Sequence, residues 1–323
     1  MLFIPSRWIN IINAGLSYSV SSLNGSIWGN WMPVAAGIEL TNQCNLSCPE
    51  CLSGSGLMTR PKGFMSLRLF EGLIKELHPY LNYLNLYFQG EPMMHPEFFG
   101  FIERAGNIRT IVSTNGHFLS PENSERLAES DLHRLIISLD GMDNQTYSIY
   151  RRNGNFESVI EGIERVSESI SKKKSKLKLE LQFLVNRYNE SQQDEIRRLA
   201  QRVRADLTLK SMQIINNDSI DKWQPEDKRF RRYVAVNGSF RVKSSLPNHC
   251  FRLWVNPVIT WDGKVVPCCF DKDAEYVMGD LNESTFREIW FGGKYMGFRR
   301  CLLDKRSRID ICRNCTSGLK GVK

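Results

Sequence analysis

Thr41-Asn42-Gln43-Cys44-Asn45-Leu46-Ser47-Cys48-Pro49-Glu50-Cys51 decides how the rest of this chain is read. It sets three cysteines in a C-x3-C-x2-C spacing. The preceding Gly37-Ile38-Glu39-Leu40 reads as a short strand, and Asn42, Asn45, Ser47 and Pro49 are turn formers. The thiols therefore sit on a loop that follows a strand, close enough in sequence to converge on one inorganic centre. Thiolates favour soft metals and iron–sulfur clusters. A structural zinc site wants four closed ligands, and no fourth Cys or His lies nearby; the next candidate, His78, falls on an expected helix. Three thiolates on a cubane leave one iron open. A partial zinc site, or three reduced core cysteines, is the alternative that the remaining sequence must decide.

The stretch resembles the cluster motif of the radical S-adenosylmethionine (radical SAM) superfamily. The resemblance implies that Cys44, Cys48 and Cys51 hold a [4Fe–4S] cluster. Its open iron would chelate the amino and carboxylate groups of S-adenosylmethionine. An electron from a low-potential donor such as flavodoxin or ferredoxin would then release a 5′-deoxyadenosyl radical.

Composition sets outer bounds. The 323 residues, 41% of them hydrophobic, suffice for one large domain and a small one. Nine cysteines without a secretory signal argue for a reducing, cytoplasmic setting and metal chemistry rather than disulfides. The apolar start, Met1 to Trp8, is broken by Pro5 and Arg7, and no apolar run approaches the roughly 18 residues of a membrane span. An interfacial helix is the alternative for this segment. The net charge of +8 fits an acidic partner, an anionic substrate, nucleic acid or simply a solvated basic surface.

Residues 1–35 read as an N-terminal extension packed against the main domain. From residue 36 to 215, β-rich runs at 38–41, 83–88, 109–114, 134–139, 178–185 and 206–214 alternate with helical stretches near 66–78, 95–106, 121–130, 155–172 and 190–204. Such alternation means parallel strands joined by crossover helices. Six strands are too few for a closed eight-stranded barrel. A partial (β/α)6 barrel fits the count, and the resemblance implies the same fold. In such α/β folds the chemistry sits at the carboxyl ends of strands.

Those ends carry the remaining site candidates. Gln89-Gly90-Glu91 closes the second strand and resembles the family's Gly-Gly-Glu motif, with Gln89 in place of the first Gly. A turn there lets main-chain carbonyls approach the methionine ammonium, and Glu91 adds negative charge. Ser113 and Asn115 end the third strand, and Ser138 and Asp140 the fourth, at positions that resemble cofactor-lining ones. In relatives an Arg before the next helix contacts the cofactor carboxylate, a bidentate task suited to guanidinium. Arg151 is the first choice for that role and Arg152 the second. Gln182 or Asn186, on the fifth strand, is a candidate for the ribose.

Residues 216–249 lose periodicity and read as a linker. Residues 250–323 form a second unit. Asp262-Gly263 between β-rich runs signals a hairpin that brings Cys250 and Cys268 together. A helix is expected from about Ser284 to Phe291, with Thr285 and Glu288 spaced as a capping box. Cys312-Arg313-Asn314-Cys315 follows. C-x12-G-x4-C with a late C-x2-C resembles the auxiliary-cluster domains called SPASM and Twitch. The resemblance implies a second [4Fe–4S] cluster on Cys250, Cys268, Cys312 and Cys315, with Cys269 and Cys301 as spare thiols; a four-cysteine zinc site is the alternative.

Taken together these readings give a radical SAM oxidoreductase or maturase acting on a peptide or a small polar molecule. A saturated auxiliary cluster offers substrate no iron, which suits it to carrying an electron. Asp271 and Asp273, after the cluster cysteine, are candidates for the base. The rivals are a peptide-crosslinking maturase and an iron–sulfur nucleic-acid-binding protein. No RNA-binding module is apparent and the basic residues are dispersed, which argues against the latter.

Overall fold

The computed structural model describes residues 6–243 and 246–315. Six strands, β1 (Ala35–Ile38), β2 (Tyr83–Asn85), β3 (Arg109–Thr114), β4 (Leu132–Ser138), β5 (Lys178–Val185) and β6 (Asp206–Ser211), lie side by side in sequence order, every neighbouring pair parallel. Helices cross between them, and the result is the partial barrel expected of the alternation. Leu135, Ile136 and Ile137 are buried in succession along β4, as a strand covered on both faces requires.

Local chemistry sets the helix starts. Ser66, Ser120, Asp143 and Asn155 each cap a helix by accepting from a backbone N–H in its first turn. The helix Leu67–Leu77 buries Phe70, Leu73, Ile74 and Leu77, the i, i+3, i+4, i+7 stripe of an element packed on a sheet. The helix Asn144–Tyr150 is an addition to those expected. β1 begins and ends earlier than the run at 38–41, and β2 is shorter than 83–88, because the chain leaves the ladder to build loops at the carboxyl ends of both strands.

Beyond residue 215 the stretch read as a linker holds a one-turn helix, Ile220–Trp223, and an antiparallel hairpin, β7 (Tyr233–Val236) with β8 (Ser239–Val242). Asn237 and Gly238 turn it with positive φ, the Asn-Gly signature of a tight hairpin. Trp223 and Tyr233 pack with Leu46 and Tyr150 behind the cysteine loop. This segment therefore supports the site.

The sheet continues into the C-terminal unit. β9 (Val258–Ile259) pairs parallel with β1, followed by antiparallel β10 (Lys264–Val266) and β11 (Gly279–Asp280). The hairpin turns at Gly263, φ +90, and the helix Phe286–Phe291 carries the full capping box between Thr285 and Glu288. The N-terminal helix, Ser6–Asn24, packs against this unit. Trp31 stacks on Trp254 at 5.9 Å, and its indole N–H donates to the Trp254 carbonyl at 2.7 Å. The Arg299 guanidinium is buried against Trp290 (4.0 Å) and Tyr295 (4.2 Å).

Candidate active site

The loop carrying Cys44, Cys48 and Cys51 is tied down on several sides. Arg60 makes two 2.8 Å bonds to the buried Glu39 carboxylate at the end of β1. Asp273 accepts from Thr59 N–H (3.0 Å), Thr59 hydroxyl (2.6 Å) and Arg60 N–H (3.3 Å), joining the C-terminal unit to the segment after Cys51. Ser47 N–H donates to the Arg152 carbonyl at 3.0 Å, and Asn153 donates to the Ser47 hydroxyl at 2.9 Å.

The turn after β2 closes against this loop. Gly90 has φ +73, and a Cβ there would fall 2.5 Å from the Thr41 carbonyl and 2.6 Å from that of Gln43. No other residue type fits such an approach. Glu91 N–H donates to the Gln43 carbonyl at 2.7 Å. The Glu91 carboxylate accepts from Thr114 hydroxyl and Asn115 N–H, both at 2.7 Å, and from Met93 N–H at 3.1 Å. Burial raises its pKa to about 7 despite those bonds. Asn115 also donates to Asn45 at 2.8 Å.

One cavity of about 560 Å³ gathers these ends. Cys44, Cys48 and Cys51 line it, as do Gln89, Gly90, Glu91, Ser113, Asn115, Ser138, Arg151 and Gln182. Asp140 stands one step behind, beneath Arg151: its carboxylate takes Arg151 Nε at 2.7 Å and Leu184 N–H at 2.7 Å. Arg152 and Asn186 are not among the lining residues. Asn186 is buried, with its amide bonded to the Leu184 carbonyl.

Asp271 and Asp273 also stay outside the cavity lining. Asp271 is buried and accepts from Glu275 N–H (2.8 Å) and Tyr276 N–H (2.9 Å), while Asp273 is the clasp on Thr59 and Arg60. Both carboxylates are engaged in holding the fold. The residues of the same turn that do face the cavity are Phe270 and Lys272. Sequence reasoning also passed over Tyr87, Lys210, Arg232 and Arg252, which line it as well. For Tyr87 a signal existed, a strand-end position beside Gln89; Arg232 and Arg252 arrive from segments with no periodic register.

Burial raises Cys44 to about 11 and Cys48 to about 12. N–H groups point at both sulfurs: Leu46 N lies 3.4 Å from Cys44 Sγ, and Arg151 Nη1 4.0 Å from Cys48 Sγ. Among the described residues no three His, Cys, Asp or Glu side chains are arranged around a single metal ion, and Cys44, Cys48 and Cys51 line one cavity of about 560 Å³.

The cysteines of the second set lie near enough to shift one another. Burial, then Cys269, Cys250 and Cys315, raise Cys268 well above its ordinary value. Burial raises Cys312 to about 11 against the pull of Arg306, with Cys315 and Cys250 adding to the rise. Arg306 is buried and its Nη2 lies 3.5 Å from Cys315 Sγ. Cys269 is bonded by Arg252 Nη1 at 2.6 Å, and Cys301 is exposed.

Comparison with known proteins gives this arrangement its context. Residues 38–179 match the radical SAM superfamily, and residues 250–316 match the SPASM iron–sulfur cluster-binding domain. The chain is 30% identical over 282 residues to the mycofactocin maturase MftC of Mycolicibacterium smegmatis, covering 80% of this chain and 70% of that protein. It is 32% identical over 207 residues to MftC of Mycobacterium ulcerans, covering 63% of this chain and 54% of that one. The match thus spans about half the length of the M. ulcerans relative. In fold it resembles Streptococcus suis SuiB bound to the precursor peptide SuiA (TM-score 0.62, 14% identity, 99% of this chain and 78% of that one). It also resembles BtrN in complex with AdoMet and 2-DOIA (TM-score 0.55, 19% identity, 89% and 94%). No helix among the described residues is long and apolar enough to cross a membrane. The chain belongs to the radical SAM superfamily, with [4Fe–4S] and S-adenosylmethionine as its cofactors and a C-terminal SPASM domain for auxiliary iron–sulfur chemistry.

Proposed function

We propose that this chain is a peptide-modifying radical SAM enzyme of the cytoplasm that oxidises its substrate, with the auxiliary cluster taking up the electron. The observation that carries the reading is the shared cavity: Cys44, Cys48 and Cys51 line it together with Phe270 and Lys272 of the turn that follows Cys268. A substrate held there lies between the two cysteine sets. The maturase name of the MftC relatives and the peptide bound to SuiB favour a peptide over a small polar molecule.

When bound, the first cluster and S-adenosylmethionine supply a 5′-deoxyadenosyl radical that removes a hydrogen atom from an unactivated carbon. Glu91 and the Gly90 turn would meet the methionine ammonium, and Gln89, Ser113, Asn115, Ser138 and Gln182 would lie along the rest of the cofactor. Asp140 holds Arg151 in place toward Cys48. Cys250, Cys268, Cys312 and Cys315 provide four thiolates, a full ligand set, and Arg306 offsets their charge. A flavodoxin or ferredoxin supplies the reducing electron.

The test is anaerobic. Reconstituted protein with reductant should convert S-adenosylmethionine to 5′-deoxyadenosine and methionine, and should remove two hydrogens from its peptide substrate, sought among short peptides encoded by neighbouring genes. Fragmentation mass spectra separate an unsaturated product from a crosslinked one. Absence of 5′-deoxyadenosine with both clusters loaded would end the proposal.

A further inference from the structure

Four cations line the active-site cavity outside ion-pair distance of any described carboxylate; Glu50, the acid on the same wall, is held by Ile215 N–H at 2.7 Å. Lys210 comes from the end of β6, Arg232 from the approach to β7, Arg252 from the helix Phe251–Val255, and Lys272 from the turn after Cys268. The two arginines converge on one ring: Arg252 lies 5.8 Å and Arg232 5.9 Å from the Phe270 centroid. Burial lowers both lysine pKa values; Lys210 feels Glu180 and then Arg252, and Lys272 feels Cys51 and Cys269 before Arg232 and Glu50. Among the described residues none of the four forms an ion pair with Asp or Glu. The Lys210 ammonium bonds to the Gln182 amide oxygen, Arg252 to Cys269 Sγ at 2.6 Å, and Arg232 reaches the Asn314 carbonyl. Glu180, the acid nearest Lys210 in the sheet, is taken by Arg134 at 2.6 Å and Thr208 at 2.7 Å.

Withdrawing cations from water without counter-ions costs several kcal/mol each, so their concentration at one wall calls for an anion. Arg151 lies near Cys48, Arg306 near Cys315, and Arg252 bonds the spare thiol Cys269 at 2.6 Å, which leaves Lys210, Arg232 and Lys272 as the cations least matched by the cysteines. Guanidinium forks and ammonium groups around an open space are the chemistry that recognises planar or tetrahedral oxyanions.

We infer that Lys210, Arg232, Arg252 and Lys272 form a substrate subsite for an oxyanion group, a carboxylate or a phosphoryl, held beside Phe270. The inference rests on the reading of this cavity as the substrate site. The anion fixes one end of the substrate there, which orients the carbon that loses hydrogen.

The experiment uses the full chain, anaerobically reconstituted and saturated with S-adenosylmethionine, so that the cofactor's own carboxylate is already accommodated. Calorimetry follows titration with succinate, inorganic phosphate and uncharged succinamide. Succinate or phosphate should bind one to one, about tenfold or more tighter than succinamide. Succinate binding assigns a carboxylate, and phosphate binding a phosphoryl group. Lys210→Gln and Lys272→Gln should each weaken that binding, and Lys272→Arg should restore it. Anions that bind no better than succinamide, or that bind both Gln variants as tightly as the parent at equal iron content, would overturn the subsite. Iron content and cofactor cleavage by the parent protein are read on the same preparation. Their presence without anion binding removes the subsite alone, whereas missing clusters remove the enzyme reading itself.

Discussion

Arg151 Nη2 lies 2.6 Å from Asp140 Oδ2, with both side chains nearly closed off from solvent. The pair ties the end of β4 to the cysteine loop, because Arg151 Nη1 continues to within 4.0 Å of Cys48 Sγ. Burial works against the Arg151 charge, but Asp140 and then Cys48 outweigh it and keep its pKa well above the ordinary value. Removing one member of such a pair leaves an uncompensated charge and costs about 3–5 kcal/mol, whereas replacing both is far milder. Asp140→Leu alone should lower the urea midpoint strongly, and Asp140→Leu with Arg151→Met should recover much of the loss. Equal destabilisation by the single and double changes would mean that the pair is not coupled.

Glu91 should make cofactor-free stability fall with pH. Its folded pKa, about 7, lies above its ordinary 4.5, so the folded state holds the proton more tightly than the unfolded one. That contribution is complete below pH 4.5 and is lost as pH rises through 7, in all roughly 3 kcal/mol at 1.36 kcal/mol per unit. Urea titrations of Glu91→Gln across this window should be flatter than those of the parent. S-adenosylmethionine affinity of the parent should rise over the same window as the carboxylate charges to meet the ammonium. A parent and variant with the same pH slope would place that titration elsewhere.

Reconstituted protein should carry about eight iron per chain, two [4Fe–4S] clusters. Changing Cys44, Cys48 and Cys51 together to Ala should leave about four and abolish cofactor cleavage. Changing Cys268 to Ala should remove the auxiliary signal while cofactor cleavage survives and substrate oxidation is lost. Tightly bound zinc with a single cluster would contradict the auxiliary assignment.

Trp31→Ala should destabilise the junction between the N-terminal segment and the C-terminal unit by about 3–5 kcal/mol, the usual cost of truncating a buried aromatic. Trp31 stacks on Trp254, and its carbonyl accepts from the Trp290 indole at 2.9 Å. Calorimetric unfolding reads the loss. A change below about 0.5 kcal/mol, the range of ordinary surface substitutions, would show that the aromatic cluster is not a unit.

The sequence by itself determined the cysteine loop, the order of strands and the strand ends that line one cavity. Each of those signals is local: a three-cysteine spacing, a period of two or near four, a Gly-Glu turn. The spacing of Cys250 and Cys268 about Asp262-Gly263 is local in the same sense. Tertiary structure alone decided which side chains of the Cys268–Asp273 turn look inward. Phe270 and Lys272 face the cavity while Asp271 and Asp273 are engaged by backbone amides, a choice made by contacts to Thr59 and Tyr276 far from or beyond the motif. It also decided that Lys210, Arg232 and Arg252 meet Lys272. Their sequence positions follow no common period, because they come from a strand, a turn and a helix that only the packing of the C-terminal unit on β1 and β6's end brings to one wall. Charge counted along a chain says how many cations there are. Where they lose their water, and hence what they can bind, is fixed by the fold.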